Sequence, residues 1–279
     1  MVKLKEKKYC FGEKMITTNL LESSETKKVT MQKGAFSVIE YERDMSVEPE
    51  MAQLVYYASL MDVRKRQLIA EISEDVGIIT QKGRMQMMLG DLKAETDIKS
   101  MGNLFKSFIG SQLTGETTVK PLYTGEGTLV LEPTFRYILL EDLADWEGGL
   151  MIEDGMFLAC YNTVEMHVVP RNTVSSAALG GEGLFNTSIT GEGIVALESP
   201  VPRSELIEIS LDDDVVKIDG NMAIAWTSDL EFTVERTTPT LVGSVIAGEG
   251  LVNVYRGTGK VLVAPVRNNR GIPSPSNKK

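Results

Sequence analysis

Histidine and cysteine are scarce in this chain of 279 residues, which has one histidine, His167, and two cysteines, Cys10 and Cys160. A lone histidine argues against a histidine-rich metal site and against a serine or cysteine triad that needs an imidazole base. Two cysteines cannot build a disulfide framework for a chain of this length, and their scarcity fits a reducing compartment. Cationic residues are outnumbered, 29 Lys and Arg against 39 Asp and Glu, for a formal charge of −10. That balance argues against broad nucleic-acid binding, which requires a basic face to neutralise phosphates. Aromatic residues make up 6% and offer few platforms for base stacking. No segment approaches the run of about 18 to 20 apolar residues that spans a bilayer. The opening Met1-Val2-Lys3-Leu4-Lys5-Glu6-Lys7-Lys8 is basic but has no following apolar stretch of the kind a secretory signal carries. With Glu6 and Glu13 and no arginine it also makes a poor mitochondrial transit segment, so a cytoplasmic chain without a membrane span is expected. At 42% hydrophobic and 24% charged, the composition is that of a globular protein.

What the chain does contain is an internal repeat. Gly125-Glu126-Gly127, Gly191-Glu192-Gly193 and Gly257-Thr258-Gly259 begin at equal intervals of 66 residues. At that offset, residues 115–132 match residues 181–198 at eight of eighteen positions, where average residue usage gives about one or two. Each copy also has an upstream Gly-rich element: Gly115-Glu116-Thr117, Gly181-Glu182-Gly183 and Gly248-Glu249-Gly250. Downstream, Asp154-Gly155 and Asp219-Gly220 register the second and third copies. The reading is an N-terminal strand and helix extension at 1–59, β units at 60–145, 146–211 and 212–266, and a disordered tail at 267–279 rich in polar residues and proline.

The units read as all-β. Short runs of Val, Ile, Leu, Phe and Tyr alternate with Gly, Asp, Asn and Pro clusters. The two Asp-Gly pairs predict tight hairpin turns, and the Gly-x-Gly pairs predict corners or bulges. In Glu231-Phe232-Thr233-Val234-Glu235 the alternation points Phe232 and Val234 inward. Two short helices are expected, one over residues 50–61 after Pro49 and one over residues 103–109 ended by Gly110.

Residue types that could carry chemistry have ordinary structural explanations. His167 aligns with Thr233 on the outward phase of a strand, with no acid or nucleophile beside it in sequence. Cys160 sits among apolar residues as a small packing group. Asp212-Asp213-Asp214 lacks the spacing of a calcium loop and reads as an exposed turn. The Gly-Glu-Gly segments lack the Lys-Ser/Thr of a phosphate loop. Arg64, Lys65 and Arg66 form the one dense basic cluster in the middle of the chain, a weak candidate for nucleic acid or another anion, with a solvated strand edge as the plainer reading. No catalytic set, metal or cofactor is expected.

Phe36-Ser37-Val38-Ile39-Glu40-Tyr41-Glu42-Arg43-Asp44, Arg64-Lys65-Arg66-Gln67 and the Gly-Glu-Gly repeats together resemble the altered inheritance of mitochondria protein twenty-four family. The resemblance covers most of residues 30–266 and implies the fold of the tryptophan RNA-binding attenuator protein: tandem, sandwich-like short double-stranded β-helix units, assembled as a ring-like homo-oligomer. It implies no established enzymatic activity. In the attenuator protein, RNA is held by basic residues repeated around the ring, whereas Arg64-Lys65-Arg66 has no counterpart in the later units. The expected function is therefore a non-enzymatic scaffold or assembly protein, a homo-oligomer with a trimer favoured, open to a protein partner. A small-molecule- or RNA-binding regulator of attenuator type is the alternative.

Overall fold

The computed structural model describes residues 7–11, 14–95, 120–153, 155–170, 185–236 and 251–266. The candidate helix at 103–109, the upstream glycine elements at 115–117, 181–183 and 248–250, Asp154, the side chain of Cys10 and the tail at 267–279 lie outside the described residues.

The described residues are mostly strand. They form β1 (Lys7–Phe11), β2 (Lys14–Thr18), β3 (Lys27–Lys33) and β4 (Phe36–Tyr41). A 3-10 turn, Pro49–Met51, then leads into the single α-helix described, α1 (Ala52–Leu60). There follow β5 (Lys65–Ile72), β6 (Ile78–Thr80), β7 (Met85–Glu95), β8 (Leu122–Leu131) and β9 (Tyr137–Asp142). Next come β10 (Leu150–Ile152), β11 (Phe157–Tyr161), β12 (Val164–Pro170), β13 (Phe185–Gly191) and β14 (Ile194–Ser199). The last are β15 (Ile207–Asp219), β16 (Ala223–Thr227), β17 (Glu231–Arg236) and β18 (Leu251–Val263). The expected all-β class, with its helix after Pro49, is what the chain adopts. Among the described residues no helix is long and apolar enough to cross a membrane.

Contacts gather the chain into two compact units. One contains residues 1–145, 157–165 and 191–198, the other 146–156, 166–190 and 199–279. The first holds a nine-stranded sheet in the order β3-β4-β5-β8-β6-β11-β14-β9, with β7 also on β8, and β1 and β2 form a separate hairpin. The second holds a seven-stranded sheet in the order β12-β13-β10-β16-β18-β15, with β17 also on β18. Residues 146–211 thus give β10, β12 and β13 to one sheet and β11 and β14 to the other.

Both faces of β5 are covered in the first unit. Leu68, Ala70 and Ile72 join Leu129, Leu131 and Leu158 in the larger apolar cluster. Ile69 packs with Ile39 and Val130 in a second cluster, under Leu20 and Leu21. In the second unit Trp226 and Tyr255 are fully buried with Val261. Phe232 stacks on Trp226 at a ring separation of 5.6 Å and lies 5.3 Å from Tyr255, the inward placement its alternation predicts.

Two of the three Gly-x-Gly segments lie within long strands, and Gly191-Glu192-Gly193 joins the end of β13 to the start of β14. Gly125 and Gly127 sit inside β8, and Gly257 and Gly259 inside β18. Along one edge β8 keeps β7 throughout, while along the other it exchanges β6, at residues 122–123, for β5, at residues 127–130. Likewise β18 keeps β15 and exchanges β17 for β16 across its two glycines. The three glycines spaced 66 apart share a left-handed backbone, with φ of 111°, 99° and 114° at Gly125, Gly191 and Gly257. Gly125 and Gly257 are the points at which a long strand bends from one set of neighbours to another, and Gly191 ends β13 just before the chain enters β14.

Two turn expectations change. Gly220 does turn the chain, with φ of 57°. Yet β15 and β16 do not form a hairpin, because both pair with β18, on opposite edges. Asp212, Asp213 and Asp214 are exposed but form a bulge within β15, where the register shifts between Leu211 and Asp214 and the Asp213 N–H bonds Thr258 Oγ1 at 3.1 Å. The bulge, facing the bent glycine segment of β18, takes up the length mismatch between the two strands.

Candidate functional site

The site grows from the helix end that carries the chain into β5. Helix α1 closes with a Schellman arrangement: the Val63 N–H bonds the Ala58 carbonyl at 3.1 Å and the Asp62 N–H bonds the Ser59 carbonyl at 3.2 Å. The residue after the cap, Asp62, is left-handed with φ of 60°, a conformation that favours glycine and is tolerated by Asp. The carboxylate explains the choice. It takes Arg66 Nη2 at 2.9 Å, the Tyr137 hydroxyl at 2.7 Å, and stands 3.3 Å from Arg64 Nε.

Antiparallel pairing of β4 with β5 sets Glu40 opposite Arg66, Tyr41 opposite Lys65 and Ile39 opposite Gln67. Two of the sequence segments that carry the family resemblance, Phe36–Asp44 and Arg64–Gln67, are therefore cross-strand partners. Glu40 bridges two arginines, accepting from Arg64 Nη1 and from Arg66 Nε, each at 2.8 Å. Arg66 is buried at 3% exposure, and its guanidinium lies 3.8 Å from the centre of the Tyr137 ring. Lys65 Nζ meets Asp44 at 2.7 Å. That hydrogen bond, helped by the Ser46 hydroxyl and N–H, holds the Asp44 carboxyl down at about 2. Burial pushes the Tyr137 hydroxyl upward, and its bond to Asp62 adds to the effect.

Each member of the Arg64, Lys65 and Arg66 cluster is thus matched by a carboxylate. The plainer expectation of a solvated strand edge is corrected: β5 lies between β4 and β8, and Arg66 is interior. Beside the clamp is a groove of about 220 Å³ lined by Tyr41, Val55, Ala58, Val63, Lys65 and Phe135, with Phe135 largely exposed. Sequence reading missed Glu40, Asp62 and Tyr137 as partners of the arginines. It also missed the groove, although the absence of a polar stripe in residues 51–61 was a visible signal.

The other candidates are placed apart from this clamp. His167 is half-buried on β12. Cys160 is fully buried on β11, and burial pushes its thiol well above the ordinary range, which suits packing and not nucleophilic reactivity. Among the described residues no group of three or more His, Cys, Asp or Glu is arranged to hold a metal ion. The geometry supplies an internally neutralised support beneath an apolar surface.

Similarity to known proteins follows the same outline. The chain is 25% identical over 194 residues to an uncharacterized protein of Streptococcus pyogenes serotype M6, across 67% of this chain and 75% of that one. A crystal structure of a Streptococcus pyogenes protein from structural genomics matches with a TM-score of 0.54 at 24% identity, covering 73% of this chain and 89% of the other, a likeness of fold. The family model for mitochondrial biogenesis AIM24 matches residues 57–266, from the second half of α1 to the end of β18, so the two arginines, the lysine and the three bent glycine segments all fall within it, and the chain belongs to that family.

Proposed function

We propose that the protein is a non-enzymatic scaffold that works as a homo-oligomer, its chains joined head to tail. The observation that carries this reading is a pair of long strands with one side open among the described residues. The 11-residue β7 pairs only with β8, and the 13-residue β15 pairs only with β18. An unpaired strand edge presents a row of N–H and C=O groups that another strand can satisfy. One such long open strand belongs to each compact unit, so β7 of one chain can meet β15 of the next, and such contacts end when a ring closes. β7 also exposes Met85, Met87 and Met88, adaptable side chains suited to a contact surface. A closed trimer is the favoured ring. Light scattering after gel filtration is expected to give three chains of 30.7 kDa, or a whole multiple of three, at micromolar concentration. A mass near one chain would defeat the ring.

The alternative, a regulator that holds RNA through Arg64, Lys65 and Arg66, would have to take these groups from Glu40, Asp62 and Asp44. Paired cations release no phosphate counterions on binding, so RNA affinity is expected to be negligible at physiological salt. Filter binding with a random RNA pool is the check. Submicromolar, salt-sensitive binding abolished by Arg64→Ala would favour the regulator.

A further inference from the structure

Helix α1 contains no buried residue. A nine-residue helix is too short to stand on propensity and ordinarily depends on a buried face. Here the attachment is polar at one end, through Asp62, and its inner face of Val55, Ala58 and Ser59 is only half-buried above the groove. The apolar side chains point to water: Leu54 is 62% exposed, Leu60 64%, Met61 79%, and Tyr56 and Tyr57 are similarly open. Phe135, across the groove, is 59% exposed. With Met51 and Val63 these side chains leave on the order of 900 Å² exposed, beyond the few hundred Å² usual for an apolar patch on a monomer. That area matches the roughly 800 Å² that each partner brings to a stable interface.

We propose that α1 and its groove form a two-fold contact with the same surface of a second copy of this chain. Projecting side chains and a receiving groove lie on one patch, which is what a self-complementary contact requires. Leu54 and Tyr57 of each copy fill the groove of the other, with the helices antiparallel. Charge does not oppose this pairing: the charged groups that line the groove, Glu42, Asp44, Arg64 and Lys65, are each already ion-paired within the chain. Charge does weigh against a lipid surface, since residues 49–63 contain no Lys or Arg, and a helix that lies on membranes relies on them. The contact is separate from the strand edges of the ring and holds or fails independently of it.

The test is the mass of the full-length protein by light scattering, wild type against Leu54→Glu/Leu60→Glu and against Phe135→Glu. Phe135 lies outside α1, in the connection between β8 and β9, so its variant remains informative if charges within α1 melt the helix. Each variant is expected to halve the particle mass with an unchanged melting midpoint, and Leu54→Met is expected to keep the full mass. Six chains falling to three upholds both this contact and the ring. Two falling to one upholds the contact and removes the ring. A mass that neither variant halves overturns the contact, and three chains left unchanged does so while sparing the ring. Flotation of the wild type with phosphatidylcholine vesicles, lost in Phe135→Glu, would assign the surface to lipid and also overturn the contact.

Discussion

Arg66→Met is expected to destabilise the protein by about 3 kcal/mol, because it removes the cation from a buried ion-pair network and leaves its carboxylates behind. Arg66 is 3% exposed and Glu40 is mostly covered, so water does not replace the lost bonds at Glu40. Asp62 is 45% exposed and contributes less to the loss, since solvent screens it. The methionine also gives up the stacking of the guanidinium on Tyr137. Arg64→Met serves as the comparison: its partly exposed side chain shares the same Glu40, and a loss of no more than about 1 kcal/mol is expected. Urea denaturation gives both values, and equal effects for the two arginines would refute the buried-clamp account. Because the clamp secures the end of α1, amide exchange in residues 52–60 should also accelerate in Arg66→Met, more than in the core strands.

Gly125→Ala is expected to cost about 3 kcal/mol or more, from two additive sources. The backbone at Gly125 has φ of 111°, strained for any L side chain, and an added Cβ would lie 2.1 Å from the Asp91 carbonyl oxygen on β7. A backbone atom cannot swing aside as a side chain can, so β7 and β8 would have to separate at the bend. Gly191→Ala meets the same conditions, with φ of 99° and the Thr163 carbonyl oxygen at 2.5 Å, and should cost a similar amount. Gly83→Ala isolates the conformational part, since its φ is 76° and nothing lies within 4 Å; about 1 kcal/mol is expected there. Thermal or urea unfolding of the three variants decides the matter. A Gly125→Ala loss no larger than that of Gly83→Ala would remove the close-approach argument.

Part of this architecture is legible in local sequence. Runs of β-branched and aromatic residues between turn formers mark the chain as all-β, and Pro49 marks the helix start. Glycines at a fixed interval mark where the chain bends, since a residue without a Cβ permits the left-handed φ at all three and, at Gly125 and Gly191, the close backbone approach. Periodicity also places Phe232 inward. These features depend on the conformations a residue and its near neighbours allow.

Pairing partners are another matter. An Asp-Gly pair signals a turn at Asp219-Gly220, but it cannot reveal that β18, more than thirty residues later, lies between the strands on either side of it. Period-two alternation assigns a face to each residue and leaves the neighbouring strand open, so nothing in residues 146–211 announces that their strands divide between two sheets. The site follows the same rule. Arg64, Lys65 and Arg66 stand out in sequence as a basic run, and only the register of β4 against β5, with the return of the chain at Asp62, brings Glu40 and Asp62 to neutralise them. Local stereochemistry determined the β class, the helix and the bends. Long-range strand pairing decided the two units, and it turned an apparent anion site into the support of an exposed apolar helix.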